Sequence, residues 1–319
     1  MDYLFADELH ERKFINPPTK INTKQIFISI ASYRDIRTSD TIKSIFHTAS
    51  NPNNIFIGIC QQNAKTDTDC MANLPSHIAK RIKIVRLLDT DARGPTWARW
   101  ICSKLWQGEG YYLQIDSHMV FANDWDSDLI KMYNKLPGKR NVISYYPPTS
   151  TTDIHYLKNI TVVTCLGSIN IKGELIAEGK QIKSIETPQQ TIYISAGFIF
   201  SKYNLILEIP FDPYLPFLFQ GEEPLLGMRL YTSGWKIYNP SHCICTHFYN
   251  RPDDPKIWLD HDKIFYKWNK VAKLRVHYFM GMQDIQDEDP IIVRNIETYG
   301  PGNIYSTQDW LTQIKKNIK

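Results

Sequence analysis

No G-x-G-x-x-G and no G-x-x-x-x-G-K-[ST] occurs in the 319 residues, which excludes the dinucleotide fingerprint and the phosphate loop. A nucleotide held by this chain needs another device, such as a metal ion clamping its diphosphate. No G-x-S-x-G elbow is present, so the hydrolase-type serine nucleophile is excluded as well. Long basic blocks are missing and the formal charge is only +4, so no nucleic-acid footprint is indicated. No run of 18 apolar residues occurs, and no membrane span is expected. Met1 to Glu8 carries early acids and no apolar stretch, so no signal peptide is expected. The six cysteines (60, 70, 102, 165, 243, 245) form no C-x-x-C pair and no regular framework. They read as reduced thiols in a cytoplasmic protein.

Aromatic residues are plentiful, with 18 Tyr and 8 Trp, and rings with polar tips suit a large cleft. The most informative stretch is Tyr111-Tyr112-Leu113-Gln114-Ile115-Asp116-Ser117-His118-Met119-Val120-Phe121. It reads as a buried strand with an acid and an imidazole two residues apart. Strand side chains alternate faces, so Asp116 and His118 share a face with roots roughly 7 Å apart. One carboxylate oxygen and one imidazole nitrogen at that spacing can share a divalent cation. The plainer reading, an acid turning the strand end beside an ordinary polar histidine, stands against it until the surroundings are counted.

Those surroundings are regular. Gln25 to Ala31 is an apolar strand ending in Ser32-Tyr33-Arg34-Asp35, followed by a helix with Ile42, Ile45 and Phe46 at core spacing. A second strand, Ile55 to Cys60, ends in Gln61-Gln62; after an insert over 64–80 a third, Ile82 to Leu88, leads into the turn Asp89 to Arg93. Pro95 opens a helix whose apolar face is Trp97, Ala98, Trp100, Ile101, Leu105 and Trp106. Strands alternating with helices in this way predict an α/β fold with a mostly parallel sheet. Such sheets bind ligands beyond the carboxyl ends of their strands. The four polar strand ends, including Asp116-Ser117-His118, therefore fall on one rim.

The second half is less regular. Strands are expected at 141–146 and 191–200, the latter a pair or one strand kinked at Gly197, with a hydrophilic region between them broken by apolar Ile160 to Leu166. A Pro-punctuated aromatic loop leads to Gly221-Glu222-Glu223-Pro224, a short helix and a strand at 234–238. Ser241 to Arg251 places His242, Cys243, Cys245 and His247 close in sequence. Without a second cluster this does not read as a zinc finger; the thiols are expected in the core, with His247 reaching a site from a strand end. A helix around 256–272 and a Lys-rich terminal helix complete the chain, and no repeats are evident.

Six stretches occur in a familiar order: Ile28 to Asp35, Gly58 to Gln62, Arg93-Gly94-Pro95-Thr96-Trp97-Ala98-Arg99, Gln114 to His118, Gly221-Glu222-Glu223 and His247-Phe248-Tyr249-Asn250-Arg251. The chain resembles the polypeptide N-acetylglucosaminyltransferases, some of which modify hydroxyproline in a ubiquitin-ligase adaptor. It is more distantly similar to polypeptide GalNAc-transferases. The resemblance covers roughly 25–251 and implies a GT-A fold, a UDP-sugar donor, dependence on Mn2+ (or Mg2+), retention of anomeric configuration and a protein or glycan acceptor. The catalytic domain is therefore expected over 25–251, with a nucleotide-binding half (about 25–125) and an acceptor half (about 126–251). Outside it the sequence reads as a polar lead-in over 1–24 and a helical extension over 252–319 packed on that domain, the tail, with the 64–80 insert and the 149–190 region, departing from the family pattern.

By the same resemblance Asp116, His118 and His247 hold the metal. Ala31, Ser32, Tyr33, Arg34, Arg93, Arg99, Asp116, Ser117 and Arg251 contact the nucleotide-sugar, and Glu222 and Glu223 act near the sugar and the acceptor hydroxyl. For Arg93 and Arg99 a solvated helix face is an equal reading, and one of the two glutamates could merely cap the helix that follows. Two rival functions remain: a glucosyl- or galactosyltransferase acting on hydroxylysine or a glycan, and a non-catalytic carbohydrate-binding module.

Overall fold

The chain enters its sheet through the run Ile26–Ile30, every side chain of which is buried. The computed structural model describes residues 18–169, 174–282 and 290–316; most of the expected lead-in thus lies outside the described residues. The strands are β1 (Asn22–Tyr33), β2 (Ile55–Asn63), β3 (Ile82–Leu88), β4 (Glu109–Asp116), β5 (Met119–Phe121), β6 (Asn141–Ser144), β7 (Ile160–Ile169), β8 (Leu175–Lys183), β9 (Gln189–Thr191), β10 (Phe198–Lys202), β11 (Lys236–Asn239) and β12 (Cys245–His247). The described helices are α1 (Thr38–Thr48), α2 (Ser76–Ala79), α3 (Pro95–Ser103), α4 (Trp125–Asn134), α5 (Asn204–Glu208), α6 (Glu222–Thr232), α7 (Ile257–Asp260), α8 (Asp262–Phe279), α9 (Pro290–Val293), α10 (Ile296–Tyr299) and α11 (Thr307–Lys316).

Eight strands form the central sheet in the order β3-β2-β1-β4-β10-β6-β11-β9. β3, β2, β1 and β4 run parallel, as their near-continuous apolar runs require when helices cover both faces. β10 then enters antiparallel between β4 and β6, while β11 pairs parallel with β6. One face carries Ile26, Ile28 and Ile30 against α1 and α4; Phe27 and Tyr112 on the other meet the tryptophans of α3. The architecture is the expected mixed α/β sheet.

Three local expectations change. The stretch 111–121 is not one strand: β4 stops at Asp116, Ser117 and His118 form a bend, and β5 pairs away from the sheet with β12. The hydrophilic region at 149–190 contains a two-stranded hairpin, β7 with β8, whose exposed faces erased the usual apolar signal. The stretch at 191–200 divides into β9, a loop and β10, which lie apart in the sheet.

The C-terminal residues are built into the body. Ala272, Val276 and Phe279 of α8 pack with Tyr214, Leu215, Leu225 and Met228. Phe265 and Trp268 pack with Ala92 and Phe217, on the loops beside the strand ends. Gly94 makes that closeness possible: its φ is +95°, and a Cβ there would lie 2.9 Å from the Phe217 Cα. Among the described residues no helix is long and apolar enough to cross a membrane.

Candidate active site

Parallel register sets Ala31 beside Asp116, so the ends of β1 and β4 open at the same level. β5 and β12 then pair Met119 with His247, which returns the second histidine to the same point. Asp116, His118 and His247 each offer a ligand atom, and these atoms lie within 4.8 Å of one another. They are the sole such His/Cys/Asp/Glu group among the described residues. Cys243 and Cys245 are buried free thiols, as expected, and His242 turns instead toward Asp128 at 3.6 Å.

The donor geometry suits a cation. Asp116 Oδ2 and His247 Nε2 are 3.1 Å apart, about the edge of an octahedron with bonds of roughly 2.1 Å. His118 Nδ1 donates to Asp35 Oδ2 at 2.6 Å, which leaves Nε2 as its free ligand atom, the arrangement common for metal-binding histidines. Burial lowers the His118 pKa, against the pull of Asp35 and Asp116, and keeps the imidazole neutral. Burial pushes the Asp116 carboxyl up, but the hydrogen bond to His247 and the charge of Arg99 outweigh it and hold it well below its ordinary range. A neutral imidazole and an ionised carboxylate are the forms a divalent ion needs. The residues fit such an ion.

Arg99 joins this group to the expected acids. Its Nη2 donates to Asp116 Oδ1 at 3.0 Å and its Nη1 pairs with Glu222 Oε2. Glu223 accepts from Tyr146 through one oxygen and from the Ala196 N–H at 2.8 Å through the other. Neither glutamate bonds its own helix as a cap. Burial is the main cause that raises Glu223 to about 7; Tyr146 and Ala196 pull it down and Glu222 adds to the rise.

Two cavities meet at the triad. One, of about 450 Å³, is lined by Arg99, Asp116, Tyr146, Gly197, Glu222 and Glu223. The other, of about 490 Å³, is lined by Ala31, Tyr33, Asp35, Ser117, Ile257 and Trp258. His118, Tyr249 and Arg251 line both.

Three expected contacts are not brought to these walls. Ser32 is buried and bonds Thr38 at 2.8 Å. Arg34 turns outward to Asp67 at 2.9 Å and Asp260 at 3.1 Å. Arg93 is buried with its guanidinium 4.7 Å above the Trp97 ring. The solvated-face reading fails for Arg93 and Arg99 alike, since both are buried. Sequence reasoning missed Asp35, Tyr146 and Tyr249, and the Ile257-Trp258 wall; their roles depend on contacts between distant segments.

The family model Glycosyltransferase (GlcNAc) matches residues 25–78 and 72–317, nearly the whole chain. The chain belongs to this glycosyltransferase family. The match runs well past residue 251, in keeping with the helices built into this glycosyltransferase's body. Among solved structures, GalNAc-T7 with UDP, GalNAc and Mn2+ is similar at a TM-score of 0.58 and 12% identity, over 93% of this chain. The glycosyltransferase fold is thus GT-A, and the chain spans 57% of the length of GalNAc-T7. S. aureus TarS 1-349 in complex with UDP-GlcNAc aligns at a TM-score of 0.49 and 14% identity, over 86% of this chain and 72% of TarS. No curated protein sequence matches the glycosyltransferase chain.

Proposed function

We propose that this family member transfers a sugar, GlcNAc, from UDP-GlcNAc to a hydroxyl on a protein, with hydroxyproline, serine or threonine as the acceptor class. The observation that carries this reading is the Asp116–His118–His247 group standing where two cavities meet. The cavity floored by Ala31, Tyr33 and Ser117 takes the nucleoside, and the one holding Glu222 and Glu223 takes the sugar and the acceptor. Asp116, His118 and His247 would hold Mn2+, which when bound supplies Lewis-acid stabilisation of the departing diphosphate. Arg251, lining both cavities, adds positive charge where the diphosphate would cross.

The remaining residues shape the sugar pocket. Arg99 keeps Asp116 and Glu222 fixed relative to each other, so their charges are already in place when positive charge develops at the sugar carbon. Glu223, held at both oxygens, presents its carboxyl toward the acceptor side. The six free thiols fit a reducing, cytoplasmic setting. The test is a panel of UDP-sugars with Mn2+, scored by hydrolysis and by transfer to hydroxyproline, serine and threonine peptides. Turnover of UDP-GlcNAc above UDP-glucose and UDP-galactose is expected, lost in Asp116→Ala with a native circular dichroism spectrum. No turnover of any UDP-sugar, or full activity in Asp116→Ala, overturns the reading.

A further inference from the structure

Asp35 follows β1 in the strand-end turn and lines the second cavity, behind His118. Its side chain is only 2% exposed, yet it lies beside the triad. Oδ2 accepts from His118 Nδ1 at 2.6 Å and from Ser117 Oγ at 2.7 Å. Oδ1 accepts from the Arg37 N–H at 2.9 Å, and Arg251 Nη1 stands 3.6 Å from Oδ2. A carboxyl this enclosed is held by these partners, because burying a polar group without them is costly.

His247 provides the contrast. Its Nδ1 is buried and has no hydrogen-bond partner. Its ring is held by packing, with the Tyr249 centroid at 4.1 Å and the His118 centroid at 4.5 Å. Of the two imidazoles, only His118 has a carboxylate behind it.

We propose that Asp35 is a positioning residue: it fixes the tautomer and ring orientation of His118, so that Nε2 faces the cation with added basicity. Ser117 and the Arg37 N–H hold Asp35 in turn. Asp35 acts through His118, touching neither cation nor sugar. This inference rests on the metal reading above.

The experiment measures Mn2+ alone, by electron paramagnetic resonance of the free ion, against the whole chain. Asp35→Asn keeps the shape and removes the charge, and should weaken Mn2+ binding about 10–100-fold, the range found when such outer partners are lost. In a His118→Ala background the same change should cost nothing further, whereas a general structural role would cost the same in both backgrounds. If Asp35→Asn does not give a native circular dichroism spectrum, Ser117→Ala, which removes one support of Asp35, takes its place with the same two-background comparison. Wild-type Mn2+ affinity in the variant, or equal losses in both backgrounds, overturns the role of Asp35 and leaves the metal site standing. Absence of Mn2+ binding by the wild-type chain overturns the metal reading and this inference together.

Discussion

Replacing Arg99 by Met should destabilise the protein by about 3–5 kcal/mol, the usual cost of stripping one partner from a buried ion pair. The guanidinium has a side-chain exposure of 6% and Glu222 one of 9%, so neither charge is solvated. Asp116 is more open at 29% and keeps His247, so its share of the loss is discounted for screening. Most of the cost therefore falls on Glu222, left without its counter-charge beside Glu223. Making that residue neutral as well, in Arg99→Met with Glu222→Gln, should recover about 2 kcal/mol. The assay is denaturant unfolding of the wild type, both single variants and the double variant, read from transition midpoints at constant slope. A double-variant loss equal to the sum of the single losses would show that Arg99 does not neutralise Glu222, and the account of the sugar pocket would fall with it.

Gly197→Ala would place a Cβ 2.8 Å from Asp116 Oδ2; with metal-ligand distances tolerant to about 0.2 Å, Mn2+ affinity measured by calorimetry should fall roughly tenfold with the fold retained. Glu222→Gln and Glu223→Gln should separate UDP-sugar hydrolysis from transfer, with Glu223→Gln affecting transfer more; unchanged rates in both remove the pair from the site. Glu223 rises from its ordinary 4.5 to about 7 through burial, opposed by Tyr146, the Ala196 N–H and Arg99 and assisted by Glu222. Between those values the native carboxyl binds a proton that the unfolded chain has lost, so this group's stability contribution falls as pH rises from about 4.5 to about 7. Thermal melts at pH 5 and pH 8 should show that slope flattened in Glu223→Gln, and an unaltered slope would refute the assignment.

The first half of the fold was legible because its signals are local. Parallel strands buried on both faces read as apolar runs, and the polar residues that end them must share a rim. Asp116 and His118 were legible from spacing, although the bend at Ser117 and His118, not a continuous strand, sets their geometry. Asp35 was not: at the end of β1 it looks like any turn acid, and only the β1–β4 register puts it behind His118. The β7–β8 hairpin was missed because most of β8 is exposed and has no clean alternation. The periodicity of the expected 256–272 helix shows which face is buried, but not that the structure breaks it into α7 and α8, nor that Ile257 and Trp258 of α7 wall the second cavity.

The antiparallel insertion of β10 beside β4 has a consequence for synthesis. β4 ends in Asp116, and its second neighbour, Phe198–Lys202, lies about 80 residues further along the chain. At ribosomal rates of about 5–20 residues per second, β4 waits some 4–16 s as an open edge. Unpaired edges of buried, apolar strands invite pairing with other chains. The segment bearing Asp116 is thus open to misassembly while the chain emerges, until β10 arrives to cover it.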